Sequence, residues 1–409
     1  MKKILYILPI FILAFVGTTT AQNELTHYLK TAAENNTGLK VKFNEYMAAL
    51  EIVPQVGTLP DPTVAFGYFI PRTGAGSQQA EISASQMFPW FGTLSKRKNT
   101  VEALAKAKYK VFEESKSMLF YDVKSTYYNL YFIHKAIDIT LENISILNSL
   151  KDVANIKVES GLASAVDVYR VQMEINDLEN QLAQLKNNVQ ELTVEFNTFL
   201  NVESSSNIHI AERLMSQTLL NKHEVLDSIL KNNNTLGAFN YELEGLQHRQ
   251  KLASKEGLPQ LDLGFGYTFI DKGGSATPNS GRDVIMFPKI GITIPLYQNK
   301  YKSKVQEVVY LHEAKMNEKA NTENTIRILF ENIWSDYQDA IRRSLLYERQ
   351  TELAEKTLSI LESEYATNNV NFEELLRMER KLLKYALEIQ KATVDKEASV
   401  AFMEYLQGQ

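Results

Sequence analysis

Side chains able to do chemistry are few in this chain, and they are dispersed. His27, His134, His209, His223, His248 and His312 stand singly, none at the spacing of a metal site or of a base beside a nucleophile. No HExxH, GxSxG or Walker-type loop occurs. Gly74-Ala-Gly76 and Gly264-Phe-Gly266 are bare G-x-G pairs, and neither opens the βαβ unit that gives such a loop its phosphate-binding role. The methionines, among them Met87, Met173, Met286 and Met378, are scattered as gap-fillers rather than aligned as a relay. What remains is a pair of acids, Asp167 and Glu374, with Arg377 three residues after the second. Each acid falls in the first turn of an expected helix, where the helix dipole favours negative charge. No catalysis, cofactor or metal centre is expected of this set.

The elements that must position these residues are long. Bulk composition, 44% hydrophobic and 23% charged over 409 residues, is that of ordinary globular protein and hides the layout. Residues 1–21 have the grammar of a secretory signal: Lys2 and Lys3, an apolar run from Ile4 to Val16, and Thr19-Thr-Ala21 before Gln22. The run is shorter than the ~20 residues of a spanning helix, so a cleaved signal is expected rather than an anchor. The absence of cysteine excludes disulfides, thiolate sites and a lipid-modified N-terminal cysteine. A net charge of −5 disfavours a nucleic-acid partner.

From 22 onward the plan occurs twice. A helix from Asn23 to about Val53, ended by Pro54, Pro60 and Pro62, leads to a hairpin over 60–92 and a coiled-coil hairpin over 93–200. A polar connector, 201–221, follows. A helix from about Lys222 to Glu256 then leads to a second hairpin, 259–297, and a second coiled-coil hairpin, 299–406, so the structural repeats are 22–200 and 222–409. The rods from Thr93 to about Val158 and from Lys300 to about Tyr365 contain no proline or glycine. At 1.5 Å per residue each would be ~100 Å long. Leu130, Ile137, Ile144 and Val158 fall at heptad spacing in the first, with Lys151 the exception; Ile326, Ile333, Ala340, Tyr347, Ala354 and Leu361 do so in the second. The returning helix of the first pair carries Val168, Val171, Ile175, Leu178 and Leu182, spaced three and four. Gly161 suits the end of the first rod, and Ser164 suits the N-cap of the helix after it.

Both hairpins alternate with period two: Val64, Phe66, Tyr68 and Ile70 in one, Leu261, Leu263, Phe265, Tyr267 and Phe269 in the other. The opposite positions, Thr63, Ala65, Gly67, Gln260, Asp262, Gly264 and Gly266, are small or polar. Strands of this kind, about 9 to 11 residues long in an exported chain, point to an outer-membrane barrel with apolar residues toward lipid. Four strands are too few to close one, since bacterial barrels begin at about eight, so several chains must share a wall. Phe88, Trp90, Phe91 and Tyr297 suit the aromatic girdle, and the turns at Thr73 to Ser77 and Gly273 to Gly281 would face outside. Pro288 is expected to delay the fourth strand to about Lys289.

This arrangement resembles the TolC-type outer-membrane factors of tripartite efflux and secretion systems. The resemblance covers the mature chain and is carried by the duplication, by SQMFPWFGTLSKRK (Ser85 to Lys98), by TIPLYQNKYKSK (Thr293 to Lys304) and by SGLASAVDVYRVQ (Ser160 to Gln172). It implies a homotrimer with a twelve-stranded barrel in outer-membrane lipid and a periplasmic α-helical tunnel. It also implies partnership with a periplasmic adaptor (membrane fusion) protein and an inner-membrane pump, of the proton-driven RND type, with substrate conducted passively. Heavy-metal cations are one candidate cargo, because QMFPWFGTL is similar to the hairpin exit of the heavy-metal branch. By position the resemblance assigns adaptor docking to the tips at Gly161, Leu162, Asn368 and Asn369, and the periplasmic gate to Asp167, Glu374 and Arg377. Asn368 replaces the usual glycine, and Arg377 stands where a second gate acid occurs. The two acids therefore keep two readings, gate residues or solvated first-turn acids. The alternative for the whole chain is a non-transporting coiled-coil envelope or adhesin-like protein. An adhesin would carry its barrel strands once, at the C-terminus.

Overall fold

The structure, a computed structural model, describes residues 17–70, 78–214, 221–270, 284–367 and 372–409. The expected outer turns at 73–77 and 273–281, the docking candidates Asn368 and Asn369, and most of the signal segment lie outside the described residues. Eight helices and four strands follow in the order α1 (Gly17–Asn35), α2 (Thr37–Gly57), β1 (Thr63–Tyr68), β2 (Gln78–Phe88), α3 (Thr93–Glu159), α4 (Ala165–Leu200), α5 (Lys222–Asn232), α6 (Asn234–Glu256), β3 (Gln260–Ile270), β4 (Val284–Thr293), α7 (Gln298–Ala366) and α8 (Phe372–Leu406). The duplication read from the sequence is present element for element. The two compact units cut across it: one comprises 1–41, 113–234 and 323–409, the other 42–112 and 235–322. Each unit takes part of both repeats.

The unit of 42–112 and 235–322 holds the sheet, antiparallel throughout in the order β1-β2-β3-β4. Its register sorts the faces. The rung Phe66–Ile82–Tyr267–Met286 is apolar, and its neighbour Ala65–Ser83–Gly266–Phe287 is small apart from Phe287. Glu81 and Lys289 lie on the small, polar face and form an ion pair. Gly266 is required there, because a Cβ on it would come within 2.6 Å of the Phe287 ring. The opposite face is bare: Val64, Phe66 and Tyr68 are 70–72% exposed and Ile290 is 77% exposed. β1 and β4 are unpaired edges.

Three expectations about prolines and strand lengths are corrected. β1 spans six residues, short of the nine or more expected, and Ile70 stands beyond its end. β4 runs from Val284 through Pro288, which faces Phe265, rather than starting after it. Within one chain β4 is an edge strand, the setting in which sheets tolerate proline. Pro54 lies inside α2, in its last turn, and the helix continues to Gly57.

The other unit is a bundle of helices. Its buried side chains include Leu130, Ile133, Leu147 and Ala154 on α3, Val171, Ile175 and Leu178 on α4, and Ile326, Ala340 and Ala354 on α7, whereas the heptad positions Ile137, Ile144, Val158, Ile333, Tyr347 and Leu361 are only half-buried. Leu182, Leu185, Val189 and Leu192 are only half-buried in one copy of the chain. Each leading helix, expected to be continuous, is broken at an asparagine. Asn36 separates α1 from α2; its Oδ1 accepts from Leu39 N–H and its Nδ2 donates to the Phe199 carbonyl at 3.0 Å. Asn233 separates α5 from α6, and its Nδ2 donates to the Leu406 carbonyl at 2.9 Å. Both asparagines thus satisfy a carbonyl near the end of the returning helix, one of the groups a helix C-terminus leaves unpaired. The connector is tied down likewise: Tyr28 Oη accepts from His209 N–H and Tyr127 Oη from Ala211 N–H, each at 2.9 Å.

Candidate functional site at the helix tips

At the first tip, α3 ends because Gly161 takes φ +74°, the left-handed region that costs a Cβ-bearing residue. Leu162 N–H donates to Lys157 O at 2.8 Å and Gly161 N–H to Val158 O at 3.0 Å, the paired bonds of a Schellman cap. Leu162 is 59% exposed. Ser164 is the N-cap of α4, its hydroxyl accepting from Val166 N–H at 3.2 Å. At the second tip α7 ends at Ala366 with the Thr367 hydroxyl donating to Glu364 O, and α8 resumes at Phe372.

Below the turns the four helices close on an apolar core of Leu147, Ala154, Val171, Ile175, Tyr365, Phe372, Leu375 and Leu376. Tyr365 and Phe372 pack with centroids 5.2 Å apart and their rings tilted by 50°. Lys157 lays its ammonium over the Tyr365 ring at 3.9 Å and donates to the Tyr365 carbonyl. The Tyr365 hydroxyl has no hydrogen-bond partner among the described residues. Burial, with a smaller contribution from the Asp167 carboxylate, pushes its pKa up.

The candidate gate residues occupy the polar rim of this core. Asp167 is largely buried and lies 3.6 Å from Arg170; Glu374 is exposed and paired with Arg377. Both acids have an arginine three residues on, and both pairs are 207 residues apart in the sequence. Arg170 was not singled out from the sequence, although this repeated spacing would have revealed it. A further network joins α4 to α8: Arg170 to Glu373 at 3.6 Å, Arg380 to Glu373 at 3.9 Å and Arg380 to Glu174 at 2.8 Å. Nothing in the sequence signals it, because it depends on the register of α8 against α4. Partly exposed pairs of this kind are worth about 0–1 kcal/mol each, whereas burying a Phe or Leu side chain is worth about 1.5–3. The core holds the tip together, and the charged rim can rearrange at small cost. One acid lies inside that core: Glu379 is 4% exposed, and burial, then the Glu362 carboxylate, raises its pKa.

The girdle candidates lie at the end of the sheet. Trp90 and Phe91 meet edge to face at 6.1 Å, Phe91 and Tyr297 are 86% and 82% exposed, and Phe88 ends β2 opposite Leu261. Among the described residues no group of three or more His, Cys, Asp or Glu is placed to hold a metal ion, and no helix is long and apolar enough to cross a membrane.

No protein-family model matches the sequence, and no curated protein matches it. Solved structures do. The outer-membrane channel OprN superimposes with a TM-score of 0.78 at 16% identity, over 95% of this chain and 90% of that one. The outer-membrane protein VceC from Vibrio cholerae does so with a TM-score of 0.77 at 13% identity, over 95% and 97%. CusC, described for its transmembrane channel formation, gives 0.71 at 14% identity, over 97% and 95%. The chain has the fold of these outer-membrane channels, four antiparallel strands joined to long paired helices along its whole length.

Proposed function

We propose that the protein is the outer-membrane duct of a tripartite efflux system, conducting substrate passively from a periplasmic adaptor and an inner-membrane pump to the exterior. The observation that carries this reading is the sheet. Four strands with a bare apolar face and two unpaired edges invite pairing with further edges, and three copies joined edge to edge make a closed barrel of twelve strands, the form in which strands cross lipid. The fold shared with OprN and VceC supports it. So does a second apolar row on α7, where Leu346, Leu353 and Ile360 are spaced by sevens and 42–59% exposed in one copy, as expected of a seam covered by a neighbouring subunit.

In this reading the turns at Gly161–Leu162 and Asn368–Asn369 dock the adaptor. Opening separates the tips at the rim that Asp167, Arg170, Glu373, Glu374, Arg377 and Arg380 line, while the core around Phe372 stays packed. The pump is of the proton-driven RND type. The cargo we favour is a heavy-metal cation, on the likeness of Gln86 to Leu94 to the metal-exporting branch, and a passive duct needs no ligand cluster for it.

The test is fractionation of the native host with a deletion strain. A species of trimer size in outer-membrane extracts, dissociating only on heating, and pump-dependent loss of resistance on deletion are expected. A monomeric soluble product would overturn the proposal. Sensitivity to drugs but not to metal salts would keep the duct and reject the cargo.

A further inference from the structure

At the end of the sheet, where β2 runs into α3, there is an apolar pocket of about 450 Å³ lined by Phe88, Trp90, Phe91, Leu261, Leu263 and Ile292, within the ~300–1,000 Å³ of small-molecule sites. Leu261, Leu263, Phe88 and Ile292 also belong to the bare apolar face of the sheet, so pocket and face form one surface. Its rim is cationic. Lys255 Nζ donates to the Phe91 carbonyl at 2.9 Å and lies against Gly92. α3 begins at the next residue, Thr93, and its first two turns carry Lys96, Arg97 and Lys98, none of which makes an ion pair among the described residues. An apolar hole beside a helix N-terminus, with Lys255 at its edge and three cations in the first two turns of α3 that make no ion pair among the described residues, has the chemistry to hold a chain-bearing phosphate.

We infer that this pocket binds one anionic phospholipid of the periplasmic leaflet, with an acyl chain between Trp90 and the ends of the strands and the phosphate among Lys255, Lys96, Arg97 and Lys98. The inference rests on the apolar face of the sheet being lipid-facing. Such a lipid would fix the depth of the barrel.

Trp90 is a built-in reporter, since the chain has two tryptophans and Trp334 is buried against Phe330 and Tyr337 in the other unit. The full chain carrying Trp334→Phe, in mixed micelles, is titrated with brominated-chain phosphatidylglycerol or brominated-chain phosphatidylethanolamine, and Trp90 quenching is read. Half-maximal quenching is expected at a phosphatidylglycerol fraction well below that for phosphatidylethanolamine, and Lys96→Gln, Arg97→Gln and Lys98→Gln should weaken the preference by about fivefold per cation removed. Equal quenching by both lipids would overturn the site while leaving the lipid-facing sheet intact. No quenching by either would overturn both. The preference of the chain with its cations intact decides the matter even if the charge variants fail to assemble. A preference surviving all three substitutions would reject the assigned phosphate ligands.

Discussion

The helices that leave the sheet and the helices that leave the tips begin with opposite charges. At the tips α4 has Asp167 in its first turn and α8 has Glu373 and Glu374, acids at the end of a helix where its dipole favours them. At the sheet, α3 and α7 have no acid in the first turn, and their first two turns carry Lys96, Arg97 and Lys98 in one case and Lys300, Lys302 and Lys304 in the other. These cations oppose the dipole. The charges at the tips are explained by the stability of their own helices and by the pairs Asp167–Arg170 and Glu374–Arg377. At the sheet Lys304 pairs with Glu256 at 2.8 Å, but Lys96, Arg97, Lys98, Lys300 and Lys302 make no ion pair among the described residues, which points to something outside the chain that they meet.

If the core rather than the charge holds the tip, Phe372→Ala should be the most damaging change, costing about 3–5 kcal/mol in chemical denaturation as the ring is removed from a fully buried site. A loss below about 1 kcal/mol would shift the weight to the rim. Gly161→Val should cost about 1–2 kcal/mol through its left-handed φ alone, since no atom lies within 4 Å of the added Cβ. Gly161→Asn should be better tolerated, as asparagine is at the matching position 368.

Glu379 is the one tip charge that opposes stability. Its folded pKa lies above the ordinary value of 4.5, so its favourable contribution is complete below that pH and is lost as pH rises through the folded value. Glu379→Gln should therefore stabilise the protein at pH 7.5 relative to the parent, with the gain shrinking toward pH 4 in paired denaturation curves. A gain independent of pH would rule out the titration. Smallest of all, a double-mutant cycle on Arg380 and Glu174 should return about 0.2–1 kcal/mol. Lys96→Glu at the other end should gain about 0.3–1 kcal/mol from the dipole even as it weakens phosphatidylglycerol quenching of Trp90; losing both together would remove the contrast between the ends.

The parts of this molecule that depend on local pattern were legible in its residues. Period-two alternation gave the sheet faces, heptads gave the buried seams, and Gly161 with Ser164 marked the first turn to the residue. Effects of distant partners were not legible. Asn36 and Asn233 break their helices to reach Phe199 and Leu406, and no local propensity encodes a carbonyl more than 160 residues away. Pro288 looks like a strand breaker until β4 is known to be an edge. The Arg170–Glu373–Arg380–Glu174 network requires the register of two helices packed side by side; the acid-and-arginine spacing that recurs in the sequence belongs to the separate pairs Asp167–Arg170 and Glu374–Arg377.

The central claim is that the edges β1 and β4 of separate copies join to close a barrel of three chains. Within one chain these edges are three strand spacings apart, ~14 Å, beyond the ~7 Å limit between the Cα atoms of a disulfide, and the native sequence has no cysteine to interfere. Phe66→Cys on β1 combined in turn with Met286→Cys, Ile290→Cys or Ile292→Cys on β4 can therefore cross-link only between copies. Oxidation in isolated outer membranes should give, for at least one pair, a ladder of monomer, dimer and trimer that ends at the trimer and collapses on reduction. Monomer alone for every pair, or a ladder running on past three, would contradict the account.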